Sequence, residues 1–155
     1  MLSRQASHAL KALLELAGDP QRWCSTHALA TAQHLPEPML EQLLLQLRRA
    51  GVLEARRGRS GGYRLLRPAS GITAAEVMAA LNHPFQLSAS PIDQLGAGGA
   101  AEPEPAASAQ VTAALERRLH QALLRTLRDV TLEDLLFDLR SAEAAQASAG
   151  GLLLG

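Results

Sequence analysis

The stretch ARRGRSGGYRLLR, Ala55 to Arg67, places five arginines and three glycines within thirteen residues of a chain whose formal net charge is zero. Its flanks, Val52–Arg56 and Gly62–Arg67, read as two short strands, so Arg57–Gly61 becomes the tip of a β-hairpin. Gly58, Gly61 and Gly62 allow positive dihedral angles and close backbone approach to a partner. A phosphate-cradling nucleotide loop is one competing reading. The stretch lacks the lysine followed by Ser or Thr of a Walker loop, matches no GxGxxG, and leads into a strand instead of a helix. A solvated hairpin whose arginines only hydrate is the other, and the residues upstream decide between them.

Upstream, Ser3 can cap a helix with the apolar stripe Ala6, Ala9, Leu10, Leu13, Leu14 and Ala17, stopped by Gly18, Asp19 and Pro20. Arg22 to Cys24 reads as a very short extended piece. Ser25 or Thr26 then caps a second helix through about Gln33, buried by Ala28, Leu29 and Ala32. His34, Leu35 and Pro36 make a tight turn. Pro36 and Pro38 are tolerable only in a first helical turn, so a third helix starts there and runs to about Ala50 on the stripe Leu40, Leu43, Leu44, Leu47. Two short helices, a turn and a hairpin with a basic tip outline a winged helix-turn-helix, a mainly α fold with a small β wing.

Charge distribution agrees with that outline. Residues 1–70 hold ten basic and five acidic side chains, net +5, and residues 71–155 hold five basic and ten acidic, net −5. A polyanion facing the N-terminal half would suit the asymmetry. The single cysteine, Cys24, excludes an intrachain disulfide and cannot alone supply a zinc or iron-sulfur site. No run of eighteen apolar residues is present and MLSRQASHALK lacks a signal-peptide core, so a soluble, cytoplasmic protein without membrane contact is expected.

Downstream of the hairpin, Thr73 and Glu76 have capping-box spacing and open a fourth helix on Val77, Ala80 and Leu81, stopped at His83 and Pro84. The winged domain is thus expected over residues 1–85. Residues 88–110 contain sixteen Gly, Ala, Pro or Ser in twenty-three positions, and residues 86–110 read as a flexible linker. A long helix follows with Val111, Leu115, Leu119, Ala122, Leu123 and Leu127 on one stripe. Thr131 with Glu133 and Asp134 opens a short last helix. The long helix's stripe could pack on its own domain, but beyond a loose linker it suits a second copy, so residues 111–140 are expected to form a dimerisation unit. Residues 141–155 are expected to be a disordered tail.

A helix of about 10–12 Å diameter fits the DNA major groove, and a hairpin tip beside it reaches the neighbouring minor groove. Arg57 and Arg59 would enter that groove, with Arg48, Arg49 and Arg56 on flanking phosphates. Double-stranded DNA is therefore the expected partner.

The order LSRQASHALKALLELA (2–17), LPEPMLEQLLLQLRRAGVLEARRGRSGGYRL (35–65) and ITAAEVMAAL (72–81) closely resembles the bacterial Rrf2 (Rrf-two) regulators, such as IscR, NsrR, RirA and CymR. The likeness resumes at RLHQALLRTLRDVTLEDLL (118–136). It implies a homodimeric transcription factor, mostly repressors in that family, acting on a pseudo-palindromic operator. It further implies that Glu37 to Gln42 present the recognition helix, with Met39, Glu41 and Gln42 toward bases, Arg57, Arg59 and Ser60 at the wing tip, and Ser3 and Arg4 on phosphates. Cluster-binding members carry three cysteines before the dimer helix. The corresponding stretch here has none, the last falling near Gln110, so no iron-sulfur cluster, metal or other cofactor is expected. Pro38 and Met39 also replace the family's usual polar and aromatic residues, so its operator sequences do not transfer.

Cys24 is open to two readings, a redox thiol aided by Arg22 or a small buried hydrophobe beside Trp23. The five histidines show no ligand spacing and the acidic residues no catalytic pairing, so no enzyme is expected. A small-molecule or protein effector is compatible with the sequence. The alternative to a DNA-binding regulator is a winged-helix protein-interaction module that has lost operator binding.

Overall fold

A computed structural model describes residues 2–81 and 106–151. The first helix, α1 (Arg4–Gly18), starts where the Ser3 hydroxyl accepts the Ala6 amide at 3.1 Å, and it buries Ala6, Ala9, Ala12, Leu13, Leu16 and Ala17. Four of those six are alanines, which let neighbouring helices approach closely. Ser25 caps α2 (Thr26–Gln33) in the same way through Ala28. That helix ends at His34, held in the left-handed region at φ 52°, ψ 48°. The Leu35 amide then reaches the Ala30 carbonyl at 2.9 Å, and the chain turns straight into α3 (Glu37–Arg49) with Pro38 in its first turn. Leu40, Leu43, Leu44 and Leu47 bury one face of α3 against α1 and α2, while Arg48 and Arg49 complement the dipole at its other end.

Gly51, at φ 76°, breaks α3 and feeds an antiparallel hairpin, β1 (Leu53–Arg56) and β2 (Gly62–Leu65), registered Leu53 to Leu65 and Arg56 to Gly62. Cys24 adds a third edge, donating to the Tyr63 carbonyl at 3.0 Å and accepting the Tyr63 amide at 2.8 Å. β2 stops before Arg67 because the chain bends into a 3-10 turn, Ala69–Gly71, that the sequence pattern did not reveal. Next, α4 (Ala74–Ala80) opens with the full capping box: Thr73 and Glu76 each accept the other's backbone amide, at 3.2 and 2.9 Å.

The C-terminal part corrects two expected boundaries. α5 (Ala106–Asp129) begins inside the segment expected to be linker; the rest of that linker, and the stop at His83 and Pro84, lie outside the described residues. α6 (Leu132–Gly151) runs twenty residues where a short helix and a disordered tail from Ser141 were expected. The reason is composition read the wrong way. Residues 141–150, SAEAAQASAG, hold five alanines, the strongest helix former, and Ser141 and Ser148 bond back to the carbonyls of Phe137 and Ala144. The α5–α6 junction is tied to the winged domain by Ala74 N–H to Val130 O at 2.8 Å and Leu132 N–H to Ile72 O at 2.9 Å. Leu132 is fully buried in the common core, and α6 then lies across α1.

Candidate nucleic-acid interface

Burying Leu40, Leu43, Leu44 and Leu47 turns the opposite face of α3 outward. Pro38, Glu41, Gln42 and Arg49 are exposed there and Leu45 is half-buried, a stripe with three- and four-residue spacing. Glu41 and Gln42 thus face away from the core. Met39 does not; it packs against the core cluster, because its position follows the buried face. Leu45 was not anticipated, although its place four residues beyond Glu41 could have shown it. An apolar side chain in that row suits the methyl group of thymine. Glu37 is exposed at the helix start, its carboxylate 3.0 Å from Nδ1 of His27, which ties α2 to α3.

The wing tip is a four-residue turn, Gly58 to Gly61, closed by the Gly61 amide on the Gly58 carbonyl at 3.0 Å. Gly58 has φ +104° and Gly62 φ +135°, so both ends of the tip use conformations that side chains resist. Arg59 and Ser60 occupy the middle of the turn, and they and Arg57 are exposed. Arg56 is placed differently. Its Nη2 donates to the Ser60 carbonyl at 2.6 Å and its guanidinium lies over the Trp23 ring, 4.7 Å from the centroid. Arg48 and Arg49 are exposed at the end of α3, and Arg4 at the start of α1 beside the Ser3 cap.

Cys24 lies at the other side of the wing base, 7% exposed, with its backbone bound to Tyr63. Burial pushes its thiol up, with Arg22 opposing and Glu15 adding to the rise. Such a thiol is protonated at neutral pH. No group of three His, Cys, Asp or Glu stands within reach of one metal ion among the described residues. Two cavities flank α6. One, of about 730 Å³, lies between β2 and α6 with Leu65, Arg64, Phe137 and Arg140 in its wall; the other, of about 510 Å³, includes Cys24 and Lys11.

The α5 stripe divides. Leu127 packs against the core of its own domain and Leu123 is half-buried, whereas Val111, Leu115 and Leu119 are 69%, 55% and 46% exposed. No helix among the described residues is long and apolar enough to cross a membrane.

The Rrf2 family model, described as an iron-dependent transcriptional regulator, matches residues 2–138. A protein of Synechocystis sp. described as an HTH-type transcriptional regulator is 38% identical over 146 residues, covering 94% of this chain and 93% of that protein. IscR of Cereibacter sphaeroides is 41% identical over 83 residues, 52% of this chain and 54% of its own. Among solved structures, IscR of T. potens superposes with a TM-score of 0.69 at 26% identity, over 92% of this chain and 90% of its own. CymR of B. subtilis, the global cysteine regulator, gives 0.66 at 28% identity, over 88% and 95%. Helix-turn-helix, wing and family match coincide over the same residues: the chain belongs to the Rrf2 family of DNA-binding transcriptional regulators.

Proposed function

We propose that the chain is a homodimeric, cluster-free repressor that occupies a pseudo-palindromic operator in the cytoplasm. The observation that carries the reading is the separation of two surfaces. One presents Glu41, Gln42, Arg57 and Arg59 outward; the other, on α5, exposes Val111, Leu115 and Leu119 at four-residue spacing. Such a row of large apolar side chains suits burial against a second copy. A two-fold dimer would bring two recognition helices to successive major grooves, about 34 Å apart. Blocking a promoter by occupancy then needs no contact beyond the DNA.

The family description names iron, and the residues here do not fit a thiolate-held cluster. The whole chain has one cysteine, and that thiol is buried in the winged domain instead of lying before α5. Sensing therefore belongs to another chemistry, a small molecule, a protein partner or occupancy alone.

The test uses a duplex selected by the full-length protein from a random-sequence library. Two protomers per duplex by light scattering, and half-sites with centres about 10 bp apart, are the expected result. One protomer on an asymmetric site contradicts the proposal. Anaerobic incubation with iron and sulfide is expected to leave no visible absorbance on the protein, and a stoichiometric cluster spectrum contradicts the cluster-free assignment.

A further inference from the structure

The chain's only tryptophan, Trp23, lies between α1 and α2, outside the recognition helix and the hairpin, yet at the foot of the wing. The pairing of Cys24 with Tyr63 sets a register in which Trp23 falls opposite Arg64, and the hairpin register places Arg64 opposite Glu54. Side chains alternate along each strand, so Trp23, Arg64, Glu54 and Arg56 share one face of this small sheet. The contacts agree. The guanidinium carbons of Arg64 and Arg56 lie 4.4 and 4.7 Å from the indole centroid, and Arg64 is ion-paired with Glu54. Two cations over one electron-rich ring are each attracted to it, and the Glu54 carboxylate offsets their mutual repulsion.

Arg56 links this cluster to the tip. With its guanidinium over the indole, its Nη2 donates to the Ser60 carbonyl at 2.6 Å, inside the Gly58–Gly61 turn that carries Arg59. Strands of four residues joined by a glycine-rich tip are marginal by themselves. Something must hold the turn in one conformation before DNA arrives, or ordering it weakens binding.

We propose that Trp23 is a positioning residue for the wing: it holds Arg56 against the hairpin, Arg56 fixes the Ser60 carbonyl, and Arg57 and Arg59 are thereby presented in order to the DNA. The proposal rests on the wing reading DNA. It assigns the exposed Arg56 to bracing the wing tip instead of to the phosphate contact that charge alone suggests.

A double-mutant cycle in the full-length chain tests it, with anisotropy of a labelled duplex selected from a random library by the wild-type protein. Trp23→Ala is expected to weaken binding about tenfold and Trp23→Phe less than about threefold, since a phenyl ring retains part of the cation attraction. Arg56→Gln should match Trp23→Ala, and serves if the alanine variant does not fold. In a background lacking both tip arginines, Arg57→Ala with Arg59→Ala, Trp23→Ala should cost less than about twofold, because the tip it positions is already disarmed. An equal loss in both backgrounds overturns the proposal. A second arm needs no DNA: exchange of the Gly61 amide, bonded to Gly58, should speed up about tenfold in Trp23→Ala while α3 amides keep their protection. If the wild-type protein binds no duplex, the DNA reading fails, and this arm still decides the positioning claim. Unchanged Gly61 exchange overturns it.

Discussion

Replacing Gly62 by alanine probes the joint between wing and helical body. Gly62 has φ +135°, and a β-carbon there would run into the carbonyl group of Cys24. That carbonyl is half of the two-way bridge with Tyr63, whose hydrogen bonds measure 3.0 and 2.8 Å. The backbone conformation alone costs an alanine about 1–3 kcal/mol. Displacing Cys24 also weakens two hydrogen bonds, each worth about 0.5–1.5 kcal/mol net. Gly58 supplies the control. It has φ +104° with nothing within 4 Å of a β-carbon, so Gly58→Ala carries the backbone cost without the collision. Gly62→Ala should therefore destabilise by about 1–3 kcal/mol more than Gly58→Ala, read from urea unfolding midpoints at unchanged slope. Gly62→Ala should also weaken DNA binding more than its loss of global stability requires, because the wing detaches before the body unfolds. Equal stabilities for the two variants would refute the bridge as the joint.

Other outcomes follow from particular contacts. Leu115→Asp combined with Leu119→Asp should convert the proposed dimer to a folded monomer by light scattering, raising the dimer dissociation constant at least about a hundredfold. Leu127→Asp should instead lower thermal stability, since Leu127 packs against the core; a folded dimer in both cases would contradict this division of α5. Glu76 is held below the usual carboxylate range first by the Thr73 amide, then by Arg67. Its contribution is complete above the unfolded value near about pH 4.3 and is lost as pH falls through the lower folded value. Glu76→Gln should keep the capping-box geometry, cost less than about 1 kcal/mol at pH 7, and flatten the acid limb of stability; an unaltered acid limb would exclude Glu76 from it. His34→Gly should raise stability by up to about 1 kcal/mol by relieving the left-handed backbone between α2 and α3, and a loss would show that the His34 side chain matters more than its φ.

Local signals were legible in the sequence and distant pairings were not. Ser3, Ser25 and Thr73 announce their helices because a cap acts within three residues, and the leucine stripe of α3 fixes which face meets the core. The hairpin declared itself through its glycines. Trp23 stayed silent because its partners lie more than thirty residues ahead, and only the Cys24–Tyr63 register brings them together. The contact of Arg56 with the same ring was hidden for the same reason. Met39 was turned to the bases by family likeness, while the period of α3 packs it against the core. In the tail, frequent alanine was taken as low complexity, although alanine is what sustains α6.

The central claim is that DNA is read by a cationic wing and a recognition helix acting in duplicate. The salt dependence of duplex binding tests it most directly. Arg4, Arg48, Arg49, Arg57 and Arg59 are exposed in each protomer, so a dimer offers about ten cationic contacts and a slope of log K against log salt of about −9. Arg59→Ala removes one such contact from each protomer and should make that slope about two units shallower. A slope near zero, or one that Arg59→Ala leaves unchanged, would contradict the account.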